Sequence, residues 1–106
     1  YMPLPVWTGG NVFFNGAVPA DIEADGTVDT QHHVTLTLKE ENGTYRLETD
    51  MMDYLPQCKL ITSETLGMAF EPEERFETPE GEDIVFDTDF YGNKRGVTPV
   101  AGPFCN

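Results

Sequence analysis

The sequence has little of what most often announces chemistry: two cysteines, Cys58 and Cys105, two histidines, one tryptophan and six basic residues among 106. The cysteines show neither a CxxC pair nor a metal-ligand spacing, which excludes a zinc or redox motif. They admit one disulfide in an oxidising compartment, or two buried thiols. No run approaches the roughly eighteen apolar residues of a membrane span. No segment keeps helical periodicity over three turns, and no internal repeat is visible. A Ser-His-Asp arrangement and a phosphate-cradling glycine loop are also missing.

Scarce positive charge carries the most information. Nineteen acids against six bases give a formal net charge of −13. Such a field repels phosphate backbones and anionic lipid, so nucleic acid and membrane are excluded as partners. Divalent cations, basic partners and neutral sugars remain compatible. The hydrophobic fraction of 39% with 11% aromatics still permits a core. The length sets one domain, residues 1–106, as the expectation. The opening Tyr1-Met2 leads to the expectation that a segment was removed upstream.

What is present reads as short strands. Asn11 to Asn15, bounded by glycines, predicts one, and Val18 to Thr30 predicts an acidic loop. His33 to Glu41 alternates, with Val34, Leu36 and Leu38 on one face, and Tyr45 to Met51 alternates again. Asn42-Gly43 between them is the two-residue turn that tolerates positive φ, so Leu38 should face Leu47, Leu36 Thr49 and Val34 Met51. Asn42-Gly43-Thr44 also matches a glycosylation sequon, but the turn explains it. Lys59 to Thr62 predicts a strand, and Ser63 to Gly67 a single helical turn. Ile84 to Phe90 predicts the last strand, with Ile84, Phe86, Thr88 and Phe90 on one side and Val85, Asp87 and Asp89 on the other.

Three sets of residues could carry a site. Asp21, Glu23, Asp25 and Asp29, with Gly26 between, follow the acidic spacing of a calcium loop, although His32 stands where a bidentate glutamate belongs. The plain alternative is a solvated acidic loop, and no other cofactor is called for. Trp7, Tyr45, Tyr54 and Tyr91 could stack on sugar rings, or could be core. Asp87 and Asp89 end a strand, where carboxylates accept backbone N–H groups of a turn. Gly92 would supply the positive φ, and Arg95 a guanidinium able to pair with one of the aspartates. A glycosidase carboxylate pair is the competing reading of Asp87 and Asp89. His32-His33 would point to opposite faces of a strand, so they predict no shared metal.

Asp87-Thr88-Asp89-Phe90-Tyr91-Gly92-Asn93-Lys94-Arg95, followed by Pro99-Val100-Ala101-Gly102-Pro103-Phe104, resembles the closing signature of secreted bacterial right-handed parallel β-helix proteins that act on carbohydrates. Residues 60–67 and 76–81 are similar to the pattern preceding that signature, and Trp7 with residues 11–17 resembles an earlier part of the same region. The match spans about residues 60–104. In that family the catalytic residues lie on upstream β-helix coils, so the resemblance supplies no catalytic residue here.

The expectation is therefore an all-β chain, a small antiparallel β-sandwich-like domain or a β-rich C-terminal cap of a parallel β-helix. The expected role is a non-catalytic accessory domain of a secreted, periplasmic or cell-surface polysaccharide-processing enzyme. Its partner would be the upstream β-helix catalytic domain. A carbohydrate-binding module for a neutral polysaccharide, with calcium assistance, is the alternative, and a free-standing glycoside hydrolase is a third reading.

Overall fold

The computed structural model describes residues 4–104. Cys105 lies outside the described residues, and Cys58 is a half-buried free thiol. Among the described residues the chain is all-β with small sheets, one short α-helix and a 3-10 turn at Met51–Tyr54, and it divides into two compact units. One is Val6–Pro56, and the other is residues 57–104 with residues 4–5.

The first unit opens with four two-residue strands: β1 (Thr8–Gly9), β2 (Val12–Phe13), β3 (Glu23–Ala24) and β4 (Thr27–Val28). β1 pairs with β3 and β2 with β4, both in parallel. Thr8 faces Glu23, Gly9 faces Ala24, Val12 faces Thr27 and Phe13 faces Val28, so every residue lies beside the one 15 positions on. The corners obey the same offset. Gly10 (φ 69°) turns the first rung and Asp25 (φ 56°) the second, both in the left-handed region. Backbone bonds from Gly10 to Ala24 and from Thr27 to Asn11, each 2.9 Å, carry the ladder around the bend. The sequence shows no repeat, yet the backbone repeats. Gly26 is required here: a Cβ at that position would fall 2.8 Å from the Glu23 side chain and 3.3 Å from the Phe13 ring.

The hairpin follows as patterned. β5 (Leu36–Glu41) and β6 (Thr44–Thr49) are antiparallel, with Leu38 opposite Leu47, Leu36 opposite Thr49 and Glu40 opposite Tyr45. Asn42 (φ 52°) and Gly43 (φ 80°) both take the positive φ of the tight turn. The ladder ends at Leu36–Thr49. Beyond it Thr35 N–H bonds the Asp50 carboxylate at 2.8 Å, and Val34 engages Asn15 instead of Met51. The apolar face of this hairpin is bare: Leu36 is 62%, Leu38 64% and Tyr45 64% exposed. Covering such side chains is worth about 1.5–3 kcal/mol each, and two strands alone are marginal in water. The buried apolar residues of this unit are Phe14 and Val34.

In the second unit the single helical turn α1 (Ser63–Leu66) is present, begun by Thr62, whose side chain makes a reciprocal capping box with Thr65. Gly67 (φ 72°) ends it. The predicted strand from Ile84 to Phe90 is instead joined to two neighbours by single bridges, Val85 to Thr62 and Thr88 to Lys94, with the Asp83 to Glu77 bridge just before it. Ser63 is the junction. Its buried hydroxyl donates to the Phe76 carbonyl at 2.6 Å and accepts from Ile84 N–H at 2.7 Å. Val100 and Ala101 are the buried apolar residues here.

Candidate functional site

The best-built local structure in the second unit is the turn from Asp87 to Arg95. The Asp89 carboxylate, only 9% exposed, accepts from Tyr91 N–H (2.9 Å), Asn93 N–H (2.8 Å) and the Asn93 side-chain amide (3.2 Å). Asp89 N–H in turn bonds the Asn93 carbonyl at 2.8 Å, and Gly92 takes φ 83°. The Asp89 carboxylate thus closes the turn over Gly92. The polarity is the surprise, because Asp89 points inward while Phe86 and Phe90 are exposed.

The cation on Asp87 is Lys94, whose ammonium bonds its carboxylate. That hydrogen bond holds the Asp87 pKa below the usual carboxylate range; desolvation, the next largest influence, opposes it, and the charge of Lys94 adds to the lowering. The guanidinium of Arg95 donates to the Val100 carbonyl, and its backbone N–H bonds Asp87 O at 2.7 Å. Arg95 thus anchors the buried Val100–Ala101 segment, and Lys94, not Arg95, makes the ion pair with an aspartate that was expected of Arg95. Asp87 and Asp89 are both occupied in holding the turn, so a glycosidase carboxylate pair has no support in their geometry.

Two aromatic rings on this turn, Phe90 and Tyr91, meet a third from the tail, Phe104. Tyr91 and Phe104 stack at 5.6 Å and 23°, and Phe90 meets both edge-on, at 5.2 Å and 84° to Tyr91 and 6.1 Å and 79° to Phe104. Phe90 N–H bonds the Pro103 carbonyl at 2.7 Å, which ties the two segments bearing the rings together. Phe90 is 74% and Tyr91 63% exposed. Of the four stacking candidates, Tyr91 alone joins such a cluster. Tyr54 stacks on His32 at 4.0 Å, whereas Trp7 and Tyr45 stand exposed on the first unit. Phe90 and Phe104 were not singled out from sequence. Adjacent aromatics in a tail punctuated by glycine and proline were the available signal.

Asp21, Glu23, Asp25 and Asp29 do not converge. Their segment is a strand, a corner and a strand, which spreads the carboxylates along the chain. Glu23 bonds the Asn11 backbone N–H at 3.1 Å and its side-chain amide at 2.9 Å, and these bonds lower its pKa. Asp29 accepts from Gln31 and His32 N–H, each at 2.9 Å, and meets His32 Nδ1 at 2.8 Å. The His32 hydrogen bonds lower the Asp29 pKa. Among the described residues no three acidic, histidine or cysteine side chains are grouped to hold a metal ion.

A shallow concavity of about 490 Å³ is lined by Thr62, Ser63, Glu64, Arg75, Asp83 and Val85 among others. Arg75 pairs with Asp83 and Ser63 is pinned by two backbone groups, so neither carries a free reactive group. Among the described residues no helix is long and apolar enough to cross a membrane.

No protein-family model matches the sequence, and no curated protein matches it. Among solved structures, the chain is similar to XylC in its complex with xylose, with a TM-score of 0.77 and 26% identity over 95% of this chain. It spans 16% of that protein. The likeness therefore covers nearly all of this molecule and a small part of a sugar-bound one.

Proposed function

We propose that this chain is a non-catalytic accessory segment of a secreted polysaccharide-processing protein, and that it completes the end of a parallel β-helix. The observation that carries this reading is the constant offset of 15 residues shared by both parallel pairs and both corners of β1 to β4. Stacked rungs with one fixed offset are how a solenoid is built, and two rungs alone are too few to enclose a core. Each of these sheets has two strands among the described residues, so each rung keeps one unpaired edge that a further coil would fill. The bare face of the β5–β6 hairpin supports the same reading, because apolar side chains of this size are ordinarily covered. The sugar context comes from the likeness to xylose-bound XylC, of which this chain matches a small portion. The resemblance of residues 60–104 to the closing region of β-helix proteins agrees with it.

The reading is tested on the purified chain by calorimetric melting together with an assay on aryl xylosides and xylan. A broad transition of low cooperativity with no turnover is the expected result. A sharp two-state melt, or turnover above a blank, overturns the accessory role.

A further inference from the structure

We propose that the Phe90–Tyr91–Phe104 cluster is a stacking platform for a neutral pyranose of a β-linked polysaccharide such as xylan. The choice of a sugar rests on the carbohydrate context proposed above, and the site itself rests on three observations. The first is exposure in company: Phe90 at 74% and Tyr91 at 63% project together, and their rings lie within 5.2 Å of each other. Single exposed aromatics are ordinary, but a contiguous set is not.

The second observation is preorganisation. The turn that presents the rings is closed by the inward Asp89 carboxylate, with bonds of 2.9 Å to Tyr91 N–H and 2.8 Å to Asn93 N–H. The bond from Phe90 N–H to the Pro103 carbonyl, at 2.7 Å, fixes Phe104 beside them. A ligand meeting this surface has little backbone to order, which is what makes a small apolar platform useful for binding. Tyr91 adds a hydroxyl at its rim, the polar handle that suits a ligand apolar on its faces and wet around its edge.

The third is charge. A net charge of −13 repels uronates, sulfated sugars and phosphates, and leaves neutral chains. Among those, a pyranose with all its hydroxyls equatorial turns axial C–H groups to both faces and offers the flattest apolar surface to a ring.

The test is saturation-transfer NMR of the full chain with xylohexaose, cellohexaose and a galacturonate oligomer. Transfer from aromatic protons to the axial C–H protons of xylohexaose is expected, with little to galacturonate. Phe90→Ala and Tyr91→Ala should each weaken binding by about tenfold or more. Phe90→Leu keeps an apolar side chain but loses the π face, so it should weaken binding as Phe90→Ala does. Tyr91→Phe should stay within about threefold, and Val18→Ala, on the other unit, should change nothing. Unchanged amide signals for residues 89–93 show that a variant still holds the turn, and Phe90→Leu serves if an alanine variant does not. Absence of transfer to both neutral oligomers overturns the proposal. So does transfer indifferent to Phe90 and Tyr91, equal transfer to galacturonate, or self-association that Phe90→Ala abolishes. The melting experiment is unaffected by any of these outcomes, so the accessory role and the sugar site stand or fall separately.

Discussion

Asn15 and Val34 face each other as though both were strand residues. The Asn15 side-chain amide donates to the Val34 carbonyl at 2.8 Å, and its side-chain oxygen accepts from Val34 N–H at 2.9 Å. One side chain thus completes both backbone valences of a residue only 5% exposed, at the point where the hairpin ladder has already ended.

Asn15→Ala would leave the Val34 amide and carbonyl unpaired, at about 1–3 kcal/mol. Exchange of the Val34 amide proton should accelerate at least about tenfold. Asn15 holds φ 55°, where alanine is strained, so Asn15→Gly is the companion variant. If Asn15→Gly restores slow exchange, backbone strain and not the paired bonds is responsible.

Acidification should loosen the Glu23–Asn11 contact in the first rung stack. The Asn11 hydrogen bonds depress its pKa below the ordinary glutamate value of 4.5. A depressed folded-state pKa means that this support is complete above about 4.5 and fades as pH falls through the lower, folded-state value. Followed by NMR, the Asn11 side-chain amide should shift with a midpoint below 4.5. Glu23→Gln should flatten that titration, and an unchanged titration in the variant would assign it to another carboxylate.

Ser63→Ala removes the hydroxyl that bridges Phe76 and Ile84. The Ile84 N–H is then left without its acceptor, at a cost of about 1–3 kcal/mol. Hydrogen exchange should quicken by about tenfold or more at Ile84, while the amides of the first unit stay as they were. Quickening of equal size throughout the chain would mean that the effect is global unfolding.

Replacing Leu36 and Leu38 together by threonine keeps β-propensity while removing most of the bare apolar face. Binding of an environment-sensitive dye such as ANS should fall, and the solubility limit of the chain should rise. Dye binding that does not change would place the accessible apolar surface elsewhere.

The hairpin was legible because all its determinants are local. Alternation chose the faces, Asn42-Gly43 chose the turn, and the two agreed on one register. The turn at α1 was legible for the same reason, since Ser63 and Gly67 are neighbours in sequence, although the cap proved to be Thr62, one residue before the expected start. The parallel rungs were not. Strands of two residues hold too few positions to show a period, and their partners lie 15 residues away with no matching side chains. That is also why the acidic stretch around Asp25 read as a metal loop: the spacing fitted, but the backbone sends Glu23 to Asn11 and Asp29 to the residues that follow it. In the tail, Asp89 and Gly92 were readable as a turn. The outward setting of Phe90 was not, because alternation gives two faces without saying which one the fold will turn to water.

The unpaired edge of a rung has a direction. Parallel pairing leaves the β1–β2 flank and the β3–β4 flank each with an unpaired edge, so copies of this chain adding to each other would join head to tail. Rotation does not close such a series, and the product of unguarded growth would be a filament of indefinite length. A charge of −13 on every copy makes each addition electrostatically costly, and the cost weakens as salt screens it. The acidity of the sequence, unremarkable as an aid to solubility, thereby also opposes edge-to-edge growth of the isolated rungs.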